Sequence, residues 1–301
     1  MNSCDSTTRA GQRARIVPAW HLLLVAVAVG VLAWVNVNVT FAVADRYLSS
    51  HPILKLFGSW LPHAIGLAVS YLLLCRLGQL QLSELGLQRR GLITAFVITC
   101  GFWCLTGLSV QWRAADEMGL WSWNQQLVRV GAFGLLVDLL VTQWLGNALL
   151  EEVVFRGYFF TQLKRRFQAL ASNHGLTTGV VCTALAALVS VILFAACHLP
   201  IRLQNGIVGS ELLQNMLRLS IWGMIFTLLY AVSNNLWLVI GIHGLTNRPC
   251  LWAEPAASVR PVQLQLCLMI IAGYTVIAIS RIVVQRRASH PESAPPSEST
   301  V

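Results

Sequence analysis

The feature that most restricts this chain is the scarcity of charge within long apolar runs. Of 301 residues, 56% are hydrophobic and 11% charged, against about 25% charged in an ordinary soluble domain. Mean hydropathy is +0.65. About 20 consecutive apolar residues carry a helix across a bilayer, and a helix satisfies its own backbone there. Eight segments reach or approach that length: 19–44, 53–75, 92–112, 130–163, 176–198, 212–233, 236–247 and 262–284. They predict an all-α, polytopic integral membrane protein of about eight transmembrane helices. The seventh segment is short, follows the breaker Ser233-Asn234-Asn235, and is the weakest as a full span. The fourth is too long for a straight crossing, so it is expected to tilt, bend or begin as a separate interfacial piece.

Charge outside the apolar runs sets an orientation. Net charge is +9, and the basic residues cluster beside segment ends. Arg9, Arg13 and Arg15 precede the first segment, while Arg76, Arg89 and Arg90 separate the second and third. Lys164, Arg165 and Arg166 follow the fourth, and Arg281, Arg286 and Arg287 close the eighth. With eight crossings all four clusters share one side, which the positive-inside rule makes cytoplasmic. Both termini are then expected in the cytoplasm, with the protein multi-pass in the cell (inner) membrane. Lipid headgroups are the expected partner of these charges. No basic stripe interleaves with aromatics, so nucleic acid is not an expected partner.

The first segment follows three arginines, and Ala42-Val43-Ala44 resembles a signal-peptidase site. Its apolar stretch exceeds a normal signal core, so it is read as an uncleaved anchor. The eight cysteines are scattered without a C-x-x-C pair, so neither a zinc ribbon nor a disulfide framework is supported. Cys197 adjoins His198, but neighbours on a helix point about 100° apart and do not form a dyad.

The chemistry lies in Glu151-Glu152-Val153-Val154-Phe155-Arg156-Gly157. An ionisable group at membrane depth costs at least about 2.5–3.5 kcal/mol on insertion scales, and this segment carries three within six residues. Glu152 and Arg156 are four apart with the acid N-terminal, the favourable order for a helical ion pair. The bland reading suffices for them: each makes the other tolerable in a poor solvent. Glu151 has no such partner in its own segment, since Asn147 and Phe155 stand four residues either side. A carboxylate in that position suits a water-activating general base. Two later segments add Phe194-Ala195-Ala196-Cys197-His198 and His243-Gly244-Leu245-Thr246-Asn247. Taken singly, each histidine is more often a packing or interface residue. His243 and Asn247 share a helix face, and Gly241 and Gly244 permit close backbone approach.

Taken in order, E-E-x-x-x-R, F-x-x-x-H and H-x-x-x-N, each in its own apolar segment, resemble the CAAX-protease and bacteriocin-processing family (CPBP, or Abi). The resemblance covers about residues 145–250, including the EEVVFRG context and the Asn235-Leu236-Trp237 lead-in to His243. It implies that Glu151 polarises a water with help from His198. By the same resemblance, His243 and Asn247 stabilise an oxyanion, and Glu152 with Arg156 holds the site together. Members have been described both as metalloproteases and as metal-free glutamate-type proteases. The residues permit either: Glu151, His198 and His243 would suit zinc with an open water position, or the carboxylate would activate water directly. The metal-free mechanism is favoured here, with no cofactor and zinc as the alternative.

The expected organisation is a cytoplasmic N-terminal segment (1–18), N-terminal transmembrane helices (19–140), a catalytic core (141–250), a last helix (251–287) and a disordered tail (288–301). The expected activity is an intramembrane endopeptidase acting on a membrane-associated protein or peptide. A non-catalytic membrane scaffold or bacteriocin self-immunity protein of the same fold is the alternative. A proton-coupled transporter is disfavoured, because no paired broken helices occupy corresponding halves. In the eight-crossing scheme His198 and His243 lie toward one membrane face while Glu151 lies near the middle. Bringing them together requires a bent fourth helix, a re-entrant seventh segment or a shifted boundary.

Overall fold

The computed structural model describes residues 15–40, 43, 46–47, 52–118, 133–134, 137–173, 179–247 and 273. The eighth apolar segment and the C-terminal tail therefore lie outside the described residues, apart from Gly273. Every described element is helical. Helix α1 spans Ala19–Val35 and continues in wide turns over Asn36–Thr40. Helix α2 spans Pro52–Tyr71 and widens likewise over Leu72–Leu77. Helix α3 is Arg89–Met118. Helix α4 runs unbroken over 138–173, joining Asp138–Ala148, Leu149–Glu152, Val153–Phe160 and Thr161–Asn173. Helices α5 (Gly179–Cys197), α6 (Leu199–Gln204), α7 (Gly209–Ser233) and α8 (Leu236–Asn247) complete the described chain.

Five of these stretches are long and apolar enough to cross a membrane: Ala19–Thr40, Trp60–Leu77, Gly91–Ser109, Gly179–Gln204 and Gly209–Ser233. Their outward faces are greasy. On α1, Trp20, Leu23, Val27, Val31 and Trp34 are exposed at helical spacing, while His21 and Val25 are buried behind them. On α5, Val181, Leu185, Leu188 and Ile192 face outward. Its opposite face is the buried row Cys182, Ala186, Ser190 and Phe194. In water such faces would associate; in lipid they are the solvated surface.

The seventh segment departs from the others. Helix α8 has 12 residues, about 18 Å of rise, which is too short to span the roughly 30 Å hydrocarbon core. Leu236 and every residue from Leu238 to Leu245 are buried, so protein rather than lipid surrounds it. The expected breaker explains its entry. Asn234 adopts the left-handed conformation (φ 50°, ψ 32°) that closes α7. Asn235 Oδ1 then accepts the Leu238 N–H at 3.3 Å, and its Nδ2 donates to the Gly91 carbonyl at 3.0 Å. Gly241 and Gly244 make the expected close approaches. A Cβ on Gly241 would collide with Thr99 Oγ1, and one on Gly244 would collide with Trp144 Cδ1.

The fourth segment neither breaks nor ends at 163. Beyond Phe160 the same helix continues as the amphipathic stretch Thr161–Asn173, so Lys164, Arg165 and Arg166 lie on it rather than after it. Its length is absorbed by the wide, π-type turns at Asp138–Ala148 and Val153–Phe160. Such turns loosen the ladder and are frequent at functional sites. Freed acceptors find partners here: Ser190 Oγ donates to the Phe155 carbonyl at 2.7 Å, and Thr161 Oγ1 to the Arg156 carbonyl at 3.0 Å.

Two of the basic clusters expected on one side meet in space, together with the connection that carries a third. The Val17 N–H donates to Gln162 Oε1 at 3.0 Å, and the Arg165 guanidinium donates to the Arg15 carbonyl at 3.0 Å. Arg165 also lies 3.9 Å from Glu84, in the connection between α2 and α3.

Candidate active site

The site residues arrive on several helices. The four α-helical residues Leu149–Glu152, held between the two wide-turn stretches, present Glu151 and Glu152 on different sides of α4. Helix α5 extends its buried four-residue row by one more step, from Phe194 to His198, where the chain turns into α6. The buried α8 carries His243 inward. Helix α7 supplies Gly223, Phe226 and Thr227 from its own buried face.

The core side of α4 is fully enclosed: Glu152 and Arg156 are both 0% exposed. Arg156 Nη1 donates to Glu152 Oε1 at 2.9 Å. Its Nη2 donates to the Gly223 carbonyl at 3.0 Å, and its Nε to Thr227 Oγ1 at 3.3 Å. The guanidinium also lies over the Phe194 ring, 4.5 Å from the centroid, a cation–π contact. The expected i, i+4 pair is therefore present. Sequence alone did not show its second connection: His243 Nδ1 lies 2.7 Å from the same Glu152 oxygen. An ionised carboxylate only accepts, so with Glu152 ionised Nδ1 carries the proton. The pair thus fixes the tautomer and orientation of His243, which also stacks on Phe226 with centroids 4.7 Å apart.

The other side of the helix opens into a cavity of about 560 Å³. Glu151, His198, His243 and Asn247 all line it. Glu151 Oε1 is 3.7 Å from His198 Nε2, and Glu151 Oε2 is 3.6 Å from His243 Nε2. The His198 ring is also fixed, because its Nδ1 donates to the Phe194 carbonyl at 2.8 Å. Both imidazoles therefore commit Nδ1 to an acceptor and turn Nε2 toward one carboxylate. Separations slightly beyond 3.5 Å are those at which a water commonly bridges polar groups. Glu151 is 16% exposed and His198 21%, against 5% for His243, so the Glu151–His198 side is the accessible one.

All six residues expected from the sequence gather here. Glu151, His198 and His243 form one group, Glu152 and Arg156 support it from behind, and Asn247 stands exposed on the same cavity wall. His63, from α2, lines the cavity as well, and sequence reasoning missed it. It is an ionisable group inside an apolar run, the same kind of signal that singled out His198. Cys197 lines the wall without a hydrogen bond to either histidine.

The donor chemistry fits zinc. A metal-ligating histidine almost always donates its second ring N–H to a carboxylate or carbonyl, and both histidines do so here. As placed, however, no three His, Cys, Asp or Glu side chains among the described residues form a group able to hold an ion.

The architecture is that of a multi-pass membrane bundle enclosing a carboxylate–histidine chamber. Residues 132–248 match the family described as Rce1-like, Type II CAAX prenyl endopeptidase, the CAAX-protease family that the three motifs resemble. The matched segment contains all six residues. Neither curated proteins nor solved structures give a significant match to the chain.

Proposed function

We propose that this chain is an intramembrane endopeptidase of the CAAX type, in which Glu151 activates the hydrolytic water. The observation that carries this reading is the placement of one carboxylate between two Nε2 atoms, 3.7 and 3.6 Å away, inside a cavity reached from outside. A water held between Glu151 and His198 gives its proton to Glu151, and its oxygen attacks the peptide carbonyl carbon. The carbonyl oxygen becomes an oxyanion, which accepts hydrogen bonds from the Asn247 amide and from a His243 protonated on Nε2. With that proton His243 stands between Glu151 and Glu152, and the cluster holds two negative and two positive charges with Arg156. Collapse of the intermediate breaks the C–N bond, and the proton held by Glu151 passes to the departing amine. Products are a new carboxylate and a new amine terminus.

The family match and the cavity walls both support a prenylated peptide as the substrate class. Val29 and Leu32 of α1 and Trp222 and Phe226 of α7 line the same cavity, giving an apolar surface beside the polar cluster. A peptide whose cysteine carries a prenyl chain meets both demands. If zinc were held by Glu151, His198 and His243, it would supply Lewis-acid polarisation of the water or carbonyl. The direct-carboxylate reading is preferred because Glu151 faces both imidazole Nε2 atoms, at 3.7 and 3.6 Å, and a carboxylate so placed can take a proton from water by itself.

The test uses the purified full chain in liposomes with an S-farnesylated Cys-aliphatic-aliphatic-X peptide. Mass spectrometry should show cleavage after the modified cysteine, unaffected by exhaustive chelation and with well under one metal ion per active chain. No cleavage of this or related membrane peptides would favour the scaffold or self-immunity reading. Near one zinc per chain, with activity lost on its removal, would replace the direct mechanism.

A further inference from the structure

The cavity holds two cations that the proposed chemistry leaves unused, Arg202 and Arg218. No carboxylate among the described residues pairs with either one. Arg202 Nε is buried without a hydrogen-bond partner. The Arg218 guanidinium donates only to Asn215 Oδ1, at 3.2 Å. Two like charges lining one cavity, with a donor left over, call for an anion between them.

Their positions relative to the reactive group set the scale. Arg202 follows His198 by one helical turn, and its backbone N–H donates to the His198 carbonyl at 3.2 Å. Four residues of helix rise about 6 Å. On α7, Arg218, Trp222 and Phe226 recur every fourth residue and all line the cavity, and Phe226 stacks on His243. From Phe226 back to Arg218 is about 12 Å of rise. An extended peptide covers roughly 3.3–3.6 Å per residue, so two to four residues separate the reactive group from the arginines.

We propose that Arg202 and Arg218 form an anion subsite that holds the free C-terminal carboxylate of the peptide being cleaved, two to four residues beyond the scissile bond. This assignment rests on the endopeptidase reading. Guanidinium groups match carboxylates with paired, charge-assisted hydrogen bonds. An arginine serving lipid headgroups sends its charge outward to the interface, whereas Arg202 keeps Nε buried in the cavity wall. The subsite makes the enzyme select chain ends: an internal peptide bond brings no carboxylate to this position.

The test measures binding, so it does not depend on turnover. The full chain carrying Glu151→Gln, in nanodiscs of neutral lipid, is titrated with a fluorescent S-farnesylated Cys-aliphatic-aliphatic-X peptide as free acid and as C-terminal amide. The acid should bind about tenfold to hundredfold tighter, the range for hydrogen bonds to a charged group. Adding Arg202→Gln or Arg218→Gln should bring the acid down to the amide's affinity and leave amide binding unchanged, which also reports that the variant is folded. Equal binding of acid and amide overturns the proposal, as does a preference that survives both arginine substitutions. Loss of amide binding in parallel overturns it too. A dependence of the arginine effect on added phosphatidylglycerol, with no acid preference, would assign the site to lipid phosphate instead. Peptide that binds with acid preference but is never cleaved by the unsubstituted protein would defeat the endopeptidase reading alone.

Discussion

The cavity side and the core side of α4 carry the same functional group on consecutive residues, yet their surroundings share little. On the core side, Glu152 meets Arg156 at 2.9 Å and His243 at 2.7 Å and has no exposure. On the cavity side, Glu151 is partly exposed and has no contact shorter than 3.6 Å to either histidine. The difference teaches how a membrane protein divides labour between neighbouring carboxylates. One is enclosed by an ion pair and a histidine and holds both in place; the other faces the cavity, the placement that the proposed proton-accepting role requires. His243 joins the regions, with Nδ1 on the core carboxylate and Nε2 toward the cavity carboxylate.

The sharpest way to break this comparison is to truncate each acid in turn. Glu151→Ala should lower cleavage by about 10²–10⁴-fold, the usual contribution of a general base, with little change in abundance. Glu152→Ala strands Arg156 and should instead be seen first in abundance and thermal stability in detergent. If both variants lose stability equally, the two sides are not different.

Next in size is the core pair itself. Arg156→Ala leaves Glu152 buried and unpaired with its cation, a defect of roughly 3–5 kcal/mol, and the midpoint of detergent unfolding should fall. Glu152→Gln with Arg156→Gln should recover part of that loss, although His243 then faces an amide. A double variant worse than the sum of the singles would show that the two do not act as a pair.

The smallest expected effect belongs to the cavity rim. Asn247→Ala should lower turnover about 10²–10³-fold, as for loss of one oxyanion donor. It should leave stability and metal content unchanged, because Asn247 is exposed. An effect on substrate affinity alone, with normal turnover, would remove Asn247 from the oxyanion role.

Local periodicity made much of this visible beforehand. Glu152 and Arg156 four apart, the Ser233-Asn234-Asn235 breaker and the small residues Gly241 and Gly244 each act over one or two turns, so sequence spacing reports them directly. The contact of His243 with Glu152 spans 91 positions. The guanidinium's contacts with Gly223 and Thr227 span 67 and 71. Such contacts depend on which helices are neighbours, and hydropathy carries no information about that. The wide turns on either side of Glu151 leave no mark in composition either. The re-entrant character of α8 was half visible: its length is too short to span, but its burial on all sides follows only from packing against α3 and α4. His63, Arg202 and Arg218 were visible as ionisable residues in or beside apolar segments, and only the cavity groups them with Glu151.

The most direct test of the central claim is the turnover of Glu151→Gln, measured on folded protein matched to the unsubstituted chain in thermal midpoint. The amide preserves the shape of the carboxylate and its place between the two imidazoles but cannot take a proton from water. Turnover should fall to no more than about one hundredth of normal, in line with loss of general-base catalysis. Retention of more than about a tenth would contradict the assignment of Glu151 as the group that activates the water.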